Sequence, residues 1–288
     1  MEKIKRIAIL GASGMLGHMV YHVLKSETNH NIIPVVRQGK ISDEAVILDV
    51  MQKDELINTL KHIKPDVVIN CIGILIKGSS DNSENAIYIN AYFPHQLSNL
   101  GKQFGFNVIH ISTDCVFNGK KGNYTVNDDP DAKDMYGKSK ALGELINDRD
   151  LTIRTSIIGP ELKSNGEGLL NWFISQKGDV SGYSRAIWTG LTTLELARTI
   201  KFLLQESIHG LYQIVPDLPI NKYELLKLFK KNFSKAKVDH IRMNGEVVID
   251  KSLISNYSMS AIKSYDLQLK DLAEFMMQHK ELYKQYFS

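Results

Sequence analysis

Tyr136 and Lys140 stand four residues apart in Tyr136-Gly137-Lys138-Ser139-Lys140, a spacing that puts both side chains on one helix face. A phenol near its ordinary pKa of ~10 is a poor proton shuttle at neutral pH, and a neighbouring cation favours the phenolate. Such a pair suits protonation of a carbonyl oxygen while hydride reaches its carbon. Many helices contain this spacing, so the context decides. The strand-like run Asn107–Ile111 leads into Ser112-Thr113-Asp114-Cys115-Val116-Phe117. A hydroxyl at the C-terminal end of a parallel strand faces the crevice where ligands bind. Thr113 is expected to hydrogen-bond a carbonyl there. Ser112 competes for the role, because neighbours on a strand face opposite ways.

A second constellation lies at the start of the chain. Arg6–Leu10 runs into Gly11-Ala12-Ser13-Gly14-Met15-Leu16-Gly17, and a helical pattern follows at once. Three glycines at this spacing, between strand and helix, allow the backbone to approach a pyrophosphate at the helix N-terminus. At the end of the second strand, where an acidic residue would bind the ribose 2′-hydroxyl of NAD, the sequence has Val35-Val36-Arg37-Gln38. A guanidinium suits a 2′-phosphate, so NADP(H) is expected in preference to NAD(H). Asp49, with Val50 beside it, follows the third strand and is expected near the adenine, with a turn aspartate as the alternative.

Strands and helices must hold these residues together. Strand-like segments at Arg6–Leu10, Asn31–Val36, Ala45–Leu48, Asp66–Asn70, Asn107–Ile111 and Leu151–Arg154 alternate with helical patterns at Met15–Leu24, Lys53–Ile63, Ala86–Phe104 and Met135–Ile146. This alternation predicts an α/β fold, a Rossmann-type doubly wound parallel sheet. Beyond Arg154 come a helix near Leu169–Gln176, a capping box of Thr192 with Glu195, a strand at Gly210–Val215 and a final helix near Lys270–Tyr286. The expected division is a nucleotide-binding domain over residues 1–160, with a contribution from about 190–215, and a small substrate-binding lobe from 161–189 and 216–288.

Composition narrows the partners. Lys plus Arg is 35 against 32 Asp plus Glu, a net charge of +3 that is too mild for nucleic acid. The lysines at 227–237 accompany Leu225, Leu226, Phe229 and Phe233 at helical spacing and read as the solvated face of an amphipathic helix. Cys71 and Cys115 lack metal-ligand spacing, and two cysteines fit a reducing compartment. No apolar run reaches the length of a signal-peptide core or a membrane span. The protein is therefore expected in the cytoplasm, without metal, nucleic acid or membrane partners; a homodimer is left open.

Taken together, Gly-x-x-Gly-x-x-Gly, Ser112-Thr113-Asp114-x-Val116-Phe117 and Tyr136-Gly137-Lys138-x-Lys140 followed by Gly143-Glu144 resemble the dTDP-4-dehydrorhamnose reductase family of extended short-chain dehydrogenases. Further matches are Pro65–Asn70, Ile89-Asn90-Ala91 and Arg154-Thr155-Ser156. The resemblance covers roughly residues 5–160 closely and the remainder loosely. It implies NADPH-dependent reduction of the 4-keto group of a nucleotide-linked 6-deoxysugar. Thr113, Tyr136 and Lys140 would form the catalytic triad, and Lys140 would also hold the nicotinamide ribose. Asn90 would support the lysine, and Cys71-Ile72-Gly73 would line the cofactor, with Cys71 a packing residue and not a nucleophile. Thr113, Asp114 and Cys115 would face the substrate, and Arg185 and Trp188 are further candidates for binding it. Two departures bear on the sugar. Cys115 replaces the usual aromatic, and Ser184–Gly190 lacks the customary proline-threonine. A UDP-linked, N-acetylated sugar is therefore an alternative substrate. Other readings on the same fold are a sugar-nucleotide dehydratase or epimerase, whose Thr-Asp-Glu would need a glutamate where Cys115 stands, and a non-enzymatic NADP-binding regulatory subunit.

Overall fold

The β-branched runs of the first half pair into one sheet. The computed structural model describes residues 3–163, 165–257 and 262–287. Its strands are β1 (Arg6–Leu10), β2 (Asn31–Val36), β3 (Val46–Ile47), β4 (Val67–Asn70), β5 (Asn107–Thr113), β6 (Leu151–Thr155) and, later in the chain, β11 (Gly210–Gln213). They lie in the order β11-β6-β5-β4-β1-β2-β3. β1 runs parallel to both β2 and β4, so the sheet grows outward in two directions from its first strand. That reversal is the switch point of a doubly wound Rossmann-type sheet, as the alternation predicts. Ile7, Ala8, Ile9 and Leu10 are all fully buried. Strands covered on both faces are uninterrupted apolar runs for this reason.

The connecting helices are α1 (Gly17–Glu27), α2 (Lys53–Ile63), α3 (Ile76–Asp81), α4 (Ser83–Ala86), α5 (Phe93–Phe104) and α6 (Met135–Leu142). Two of them depart from the sequence expectation. The single helix expected over 86–104 is interrupted by a π-helical turn at Ile87–Tyr92. One-turn π segments of this kind recur at functional sites, and Asn90 on this one is fully buried. The helix expected to reach Ile146 stops at Leu142. A side chain at Gly143 would place its Cβ 1.9 Å from the Asn90 carbonyl oxygen, so the two backbones touch. The chain turns away there, and Leu145 N donates to Thr152 Oγ1 at 2.9 Å.

The chain divides into two compact units, one of Met1–Asn118, Asp129–Arg154 and Ile200–Tyr212, the other of Gly119–Asp128, Thr155–Thr199 and Gln213–Ser288. The second contains β7 (Ile157–Ile158), α7 (Leu169–Ser175), β8 (Lys177–Tyr183), β9 (Ala186–Trp188), β10 (Leu191–Thr192), β12 (Ile220–Asn221), α9 (Lys222–Asn232), β13 (Lys237–Asn244), β14 (Ile249–Asp250) and α10 (Tyr265–Gln278); α8 (Thr193–Leu203) bridges the boundary in sequence. Most of these strands are too short to leave a sequence pattern. β13 buries only Val238 among its eight residues and shows no clean alternation. The amphipathic helix is α9, with Leu225, Leu226 and Phe229 buried. Half of the capping box forms: Thr192 Oγ1 accepts from Glu195 N at 3.2 Å, while the Glu195 carboxylate accepts from Lys263 N instead. The final helix begins at Tyr265 and ends at Gln278, with only a 3₁₀ turn at Lys284–Tyr286 beyond it. Among the described residues no helix is long and apolar enough to cross a membrane.

The contact at Gly143 makes a direct stability test. Gly143→Ala forces a methyl group against a backbone carbonyl that cannot rotate aside, an overpacking cost of about 1–3 kcal/mol. The urea midpoint should fall accordingly. An unchanged midpoint would mean that α6 and the π turn separate without penalty.

Candidate active site

The glycine loop is shaped by three contacts. Gly11 has φ +75°, a left-handed conformation suited to glycine. Its N–H and that of Ala12 donate to the Val35 carbonyl at 3.0 Å each. A Cβ on Gly17 would sit 2.1 Å from Gly11 O, so α1 presses directly on the turn. At Gly14 a Cβ would meet Gly11 O alone, at 3.1 Å, and otherwise open space. Ser13, Gly14 and Met15 line this open side, whereas Leu16 is buried. His18 fixes the loop from behind. Its buried ring is pushed down to about 4, chiefly by burial, and is therefore neutral; Nδ1 donates to Gly14 O at 2.8 Å. Sequence reading missed this residue.

Arg37 is exposed just past β2 and makes no side-chain hydrogen bond or ion pair with any described residue. Asp49 is a turn residue: its Oδ1 accepts from Met51 N at 3.0 Å and its carbonyl from Gln52 N at 2.9 Å. Val50 packs into the hydrophobic core. An open glycine cradle beside a helix start, with an uncommitted guanidinium at the neighbouring strand end, fits a phosphorylated dinucleotide.

Thr113 ends β5. Its hydroxyl donates to Asp114 Oδ1 at 3.1 Å and accepts from Cys115 N at 3.1 Å. Asp134 caps α6 by accepting from Gly137 N at 2.9 Å. A Cβ on Gly137 would lie 2.2 Å from Cys115 O, so the first turn of α6 sits on the end of β5. That approach brings the Tyr136 phenol beside the Thr113 side chain. Burial, and secondarily Cys115, raise the phenol well above its ordinary value; Thr113 opposes them.

Lys140 is buried, and its Nζ donates to Ile111 O at 2.7 Å. Burial lowers it to about 8, opposed by Glu144 and then Cys71. The Lys140 ammonium is committed to the β5 backbone, and no hydrogen bond joins it to Tyr136.

Asn90 joins the loop after β4 to α6. Its Oδ1 accepts from Ile74 N at 2.8 Å, while its Nδ2 donates to Ile74 O at 2.9 Å and to Ser139 Oγ at 3.2 Å. Its bonds reach Ser139, next to Lys140 in the chain, and not Lys140 itself. A Cβ on Gly73 would meet only Asn90 Oδ1, at 3.6 Å. Beneath this strip, Asn70 accepts from Ile72 N at 3.2 Å and donates to Nδ1 of the buried His110 at 3.1 Å. Cys71 is partly exposed, yet burial of its thiol pushes it up to about 12.

Ser112 faces the other way. Its hydroxyl donates to Glu144 Oε1 at 2.6 Å. The same carboxylate accepts from Arg154 Nε at 2.9 Å and Nη2 at 2.6 Å, all of it buried. The Arg154 guanidinium lies 5.0 Å from the Phe117 ring centroid. Ser112 is therefore occupied in a buried structural cluster, whereas the Thr113 hydroxyl bonds its immediate neighbours Asp114 and Cys115 at the strand end. The cluster's only sequence signal is the presence of Glu144 and Arg154 in otherwise buried motifs.

The two remaining candidates lie in the second unit. Arg185 is exposed, and its side chain has no described partner. Trp188 corrects the expectation of a substrate contact. It is 5% exposed, donates Nε1–H to Ser156 Oγ at 2.8 Å and packs 5.7 Å from Tyr265. An indole with its donor satisfied inside the protein is a core residue. No cluster of metal ligands occurs among the described residues.

A profile of the family described as RmlD substrate binding domain matches residues 5–246. The chain belongs to this family. One relative, the spore coat polysaccharide biosynthesis protein SpsK of Bacillus subtilis, is 26% identical over 215 residues, 73% of this chain and 72% of that one. Matches to the next curated relatives span about half of their length or less. A hypothetical dTDP-4-dehydrorhamnose reductase from Sulfolobus tokodaii superposes with a TM-score of 0.72 at 29% identity, covering 86% of this chain and 91% of that one. The dTDP-4-dehydrorhamnose reductase of Bacillus anthracis, solved with NADP, shares the fold with a TM-score of 0.77 at 20% identity over 94% of this chain and 99% of its own.

The enclosed thiol of this RmlD-type site has a measurable consequence. At pH 8 a group held at about 12 is thiolate in only about one molecule in ten thousand. Iodoacetamide should leave Cys71 unmodified in the native protein and label it in urea, as read by peptide mass spectrometry. Rapid native labelling would contradict an enclosed thiol.

Proposed function

We propose that the protein reduces the 4-keto group of a nucleotide-linked 6-deoxysugar with NADPH. The observation that carries this reading is the close seat of the first turn of α6 on the end of β5, which sets the Tyr136 phenol beside Thr113, with Lys140 on the same helix. The bound cofactor supplies the hydride. The residues around the open glycine cradle, Gly11, Ser13, Gly14, Met15 and Gly17, hold its pyrophosphate, and Arg37 takes the 2′-phosphate. Ile72 and Gly73 line it, and Lys140 holds the nicotinamide ribose.

Tyr136 donates its phenolic proton to the keto oxygen as the carbonyl carbon is reduced. The phenol holds its proton across neutral pH, the form from which a donor must start, although burial makes it a weaker acid than a free phenol. Thr113 lies beside the same oxygen, and its hydroxyl would turn from Asp114 to donate to it. Elimination of water from an unmodified sugar needs a carboxylate base within reach. Cys115 offers a thiol in that place, which supports reduction over dehydration. The sugar is dTDP-linked, as the names of the structural relatives imply for them, or a UDP-linked N-acetylated one. Arg185 is the exposed cation proposed for its diphosphate.

Incubation with 4-keto-6-deoxy nucleotide sugars should consume one NADPH per ketone and release an alcohol. Tyr136→Phe should lower turnover roughly 10²–10⁴-fold while leaving cofactor affinity nearly unchanged. Formation of a 4-keto-6-deoxy product from an NDP-hexose with catalytic NAD alone would overturn the reductase reading. Cofactor binding without turnover on any ketone would leave a regulatory subunit.

The cofactor choice is tested separately. A charged hydrogen bond of about 1.5–3 kcal/mol corresponds to roughly a tenfold or larger preference for NADPH over NADH. Arg37→Ala should abolish it in direct titrations. Equal affinities in the unmodified protein would remove the role assigned to Arg37.

A further inference from the structure

His18 sits in the first turn of α1, fully buried between Gly17 and Met19, which are buried as well. An imidazole in such a place is costly unless its polar atoms are used. Geometry fixes one use. Nδ1 lies 2.8 Å from Gly14 O, and a carbonyl oxygen can only accept, so Nδ1 carries the proton. Burial, pushing the ring down to about 4, leaves it neutral with that single proton. The same oxygen accepts from His18 N at 3.2 Å, the ordinary bond that opens a helix. The side-chain bond is the shorter of the two. His18 thus grips the Gly14 carbonyl with both its backbone and its ring.

The effect of that grip is read from the donors of the loop. The N–H groups of Gly11 and Ala12 are committed to Val35 O, and that of Gly14 to Gly11 O. Those of Ser13, Met15 and Leu16 make no hydrogen bond to any described residue. Met15 N–H belongs to the same peptide unit as the Gly14 carbonyl. The two ends of a planar trans peptide point in opposite directions, and no described peptide is cis. Holding the carbonyl toward α1 therefore turns Met15 N–H away from the body of the helix. It faces out of the N-terminus, on the side where a Cβ at Gly14 would meet Gly11 O alone. N–H groups presented in this way bind anions at helix starts.

We propose that His18 is a positioning residue for the cofactor: by holding Gly14 O, its Nδ1–H aims Met15 N–H at the pyrophosphate and so sets the affinity for the dinucleotide. The proposal rests on the cofactor reading given above. His18 itself stays buried behind the loop and takes no part in the chemical step. Without the imidazole bond, a single backbone bond of 3.2 Å holds the Gly14–Met15 peptide. The peptide can then swing, and binding must restore its orientation at a cost in affinity.

Asparagine can place a side-chain N–H near the position of Nδ1, whereas leucine fills the space without a donor. In direct titrations NADPH should bind about three- to tenfold more weakly to His18→Leu, the effect of one lost hydrogen bond. His18→Asn should bind it nearly as the unmodified protein does. Adenosine 2′-monophosphate has the 2′-phosphate but no pyrophosphate, so its affinity should be the same in every variant. The kcat for ketone reduction at saturating NADPH should be unchanged in His18→Leu. In the ligand-free protein, ¹⁵N shifts of the His18 ring should report the Nδ1–H tautomer. Should His18→Leu not fold, His18→Met takes its place, and the tautomer is read on the unmodified chain in any case. An Nε2–H tautomer, equal losses in the leucine and asparagine variants, or equal weakening of both ligands would overturn the proposal. NADPH binding that His18→Leu leaves unchanged rejects the proposal alone. Absence of NADPH binding to the unmodified protein rejects the cofactor reading, and the proposal with it.

Discussion

The backbone contact between Gly143 and Asn90 constrains more of the first unit than any side chain does. With no room for a Cβ, α6 meets the π-helical turn at backbone distance, and the rest follows. The chain ends its helix at Leu142 and turns Glu144 inward toward Ser112 and Arg154. On the other side of the contact, Asn90 is held where its amide binds both backbone groups of Ile74 and the Ser139 hydroxyl. A second close approach, Gly137 against the Cys115 carbonyl, fixes the start of the same helix. An eight-residue helix pinned at both ends carries Tyr136 and Lys140 in a fixed relation to β5. Fixed geometry of this kind is what proton transfer requires, since small displacements of reacting groups are costly in rate.

Several polar groups behind this helix are joined in pairs and triads, which matters because an unpaired polar group in a dry interior is expensive; Nε2 of the buried His110 is an exception among the described residues. Glu144, Arg154 and Ser112 form one such set, and Asn70 with His110 forms another. His18 anchors the glycine loop in the same manner. The three sets lie behind the sheet ends and leave Thr113, the Tyr136 phenol and the open side of the glycine loop to meet ligands. Stability and chemistry are thereby assigned to different atoms of neighbouring residues, as the contrast between Ser112 and Thr113 makes plain.

Local pattern made part of this legible in advance. Ile7–Leu10, the spaced glycines and the Tyr136–Lys140 interval are short-range features, and each depends on neighbours within a few residues. The long-range partners were not legible. Nothing in the sequence near residue 144 names Arg154 or Ser112 as its companions, and the π turn at Ile87–Tyr92 depends on packing against a helix some fifty residues later. Trp188 was a candidate for substrate contact as well as for the core; its burial and its bond to Ser156 come from tertiary contacts. A shared helix face likewise says nothing about which acceptor an ammonium group selects, and Lys140 selects the Ile111 carbonyl. In the second unit, two- and three-residue strands carry too few side chains to show a period.

The order of the strands has a consequence for how the molecule is made. β11, from residues 210–213, occupies the edge of the sheet beside β6, although the intervening residues 155–199 belong to the other unit. β6 is buried along its whole length. Until β11 has been synthesised, β6 presents a row of unpaired backbone groups, the kind of edge that invites wrong pairing. During translation the first unit therefore cannot close when its first 154 residues have emerged; it waits for a stretch that follows most of an inserted loop. Contacts across so long a separation fold slowly, because loop closure must precede any gain from pairing. A fragment cut near residue 160 would be left at that waiting stage permanently, with its sheet one strand short.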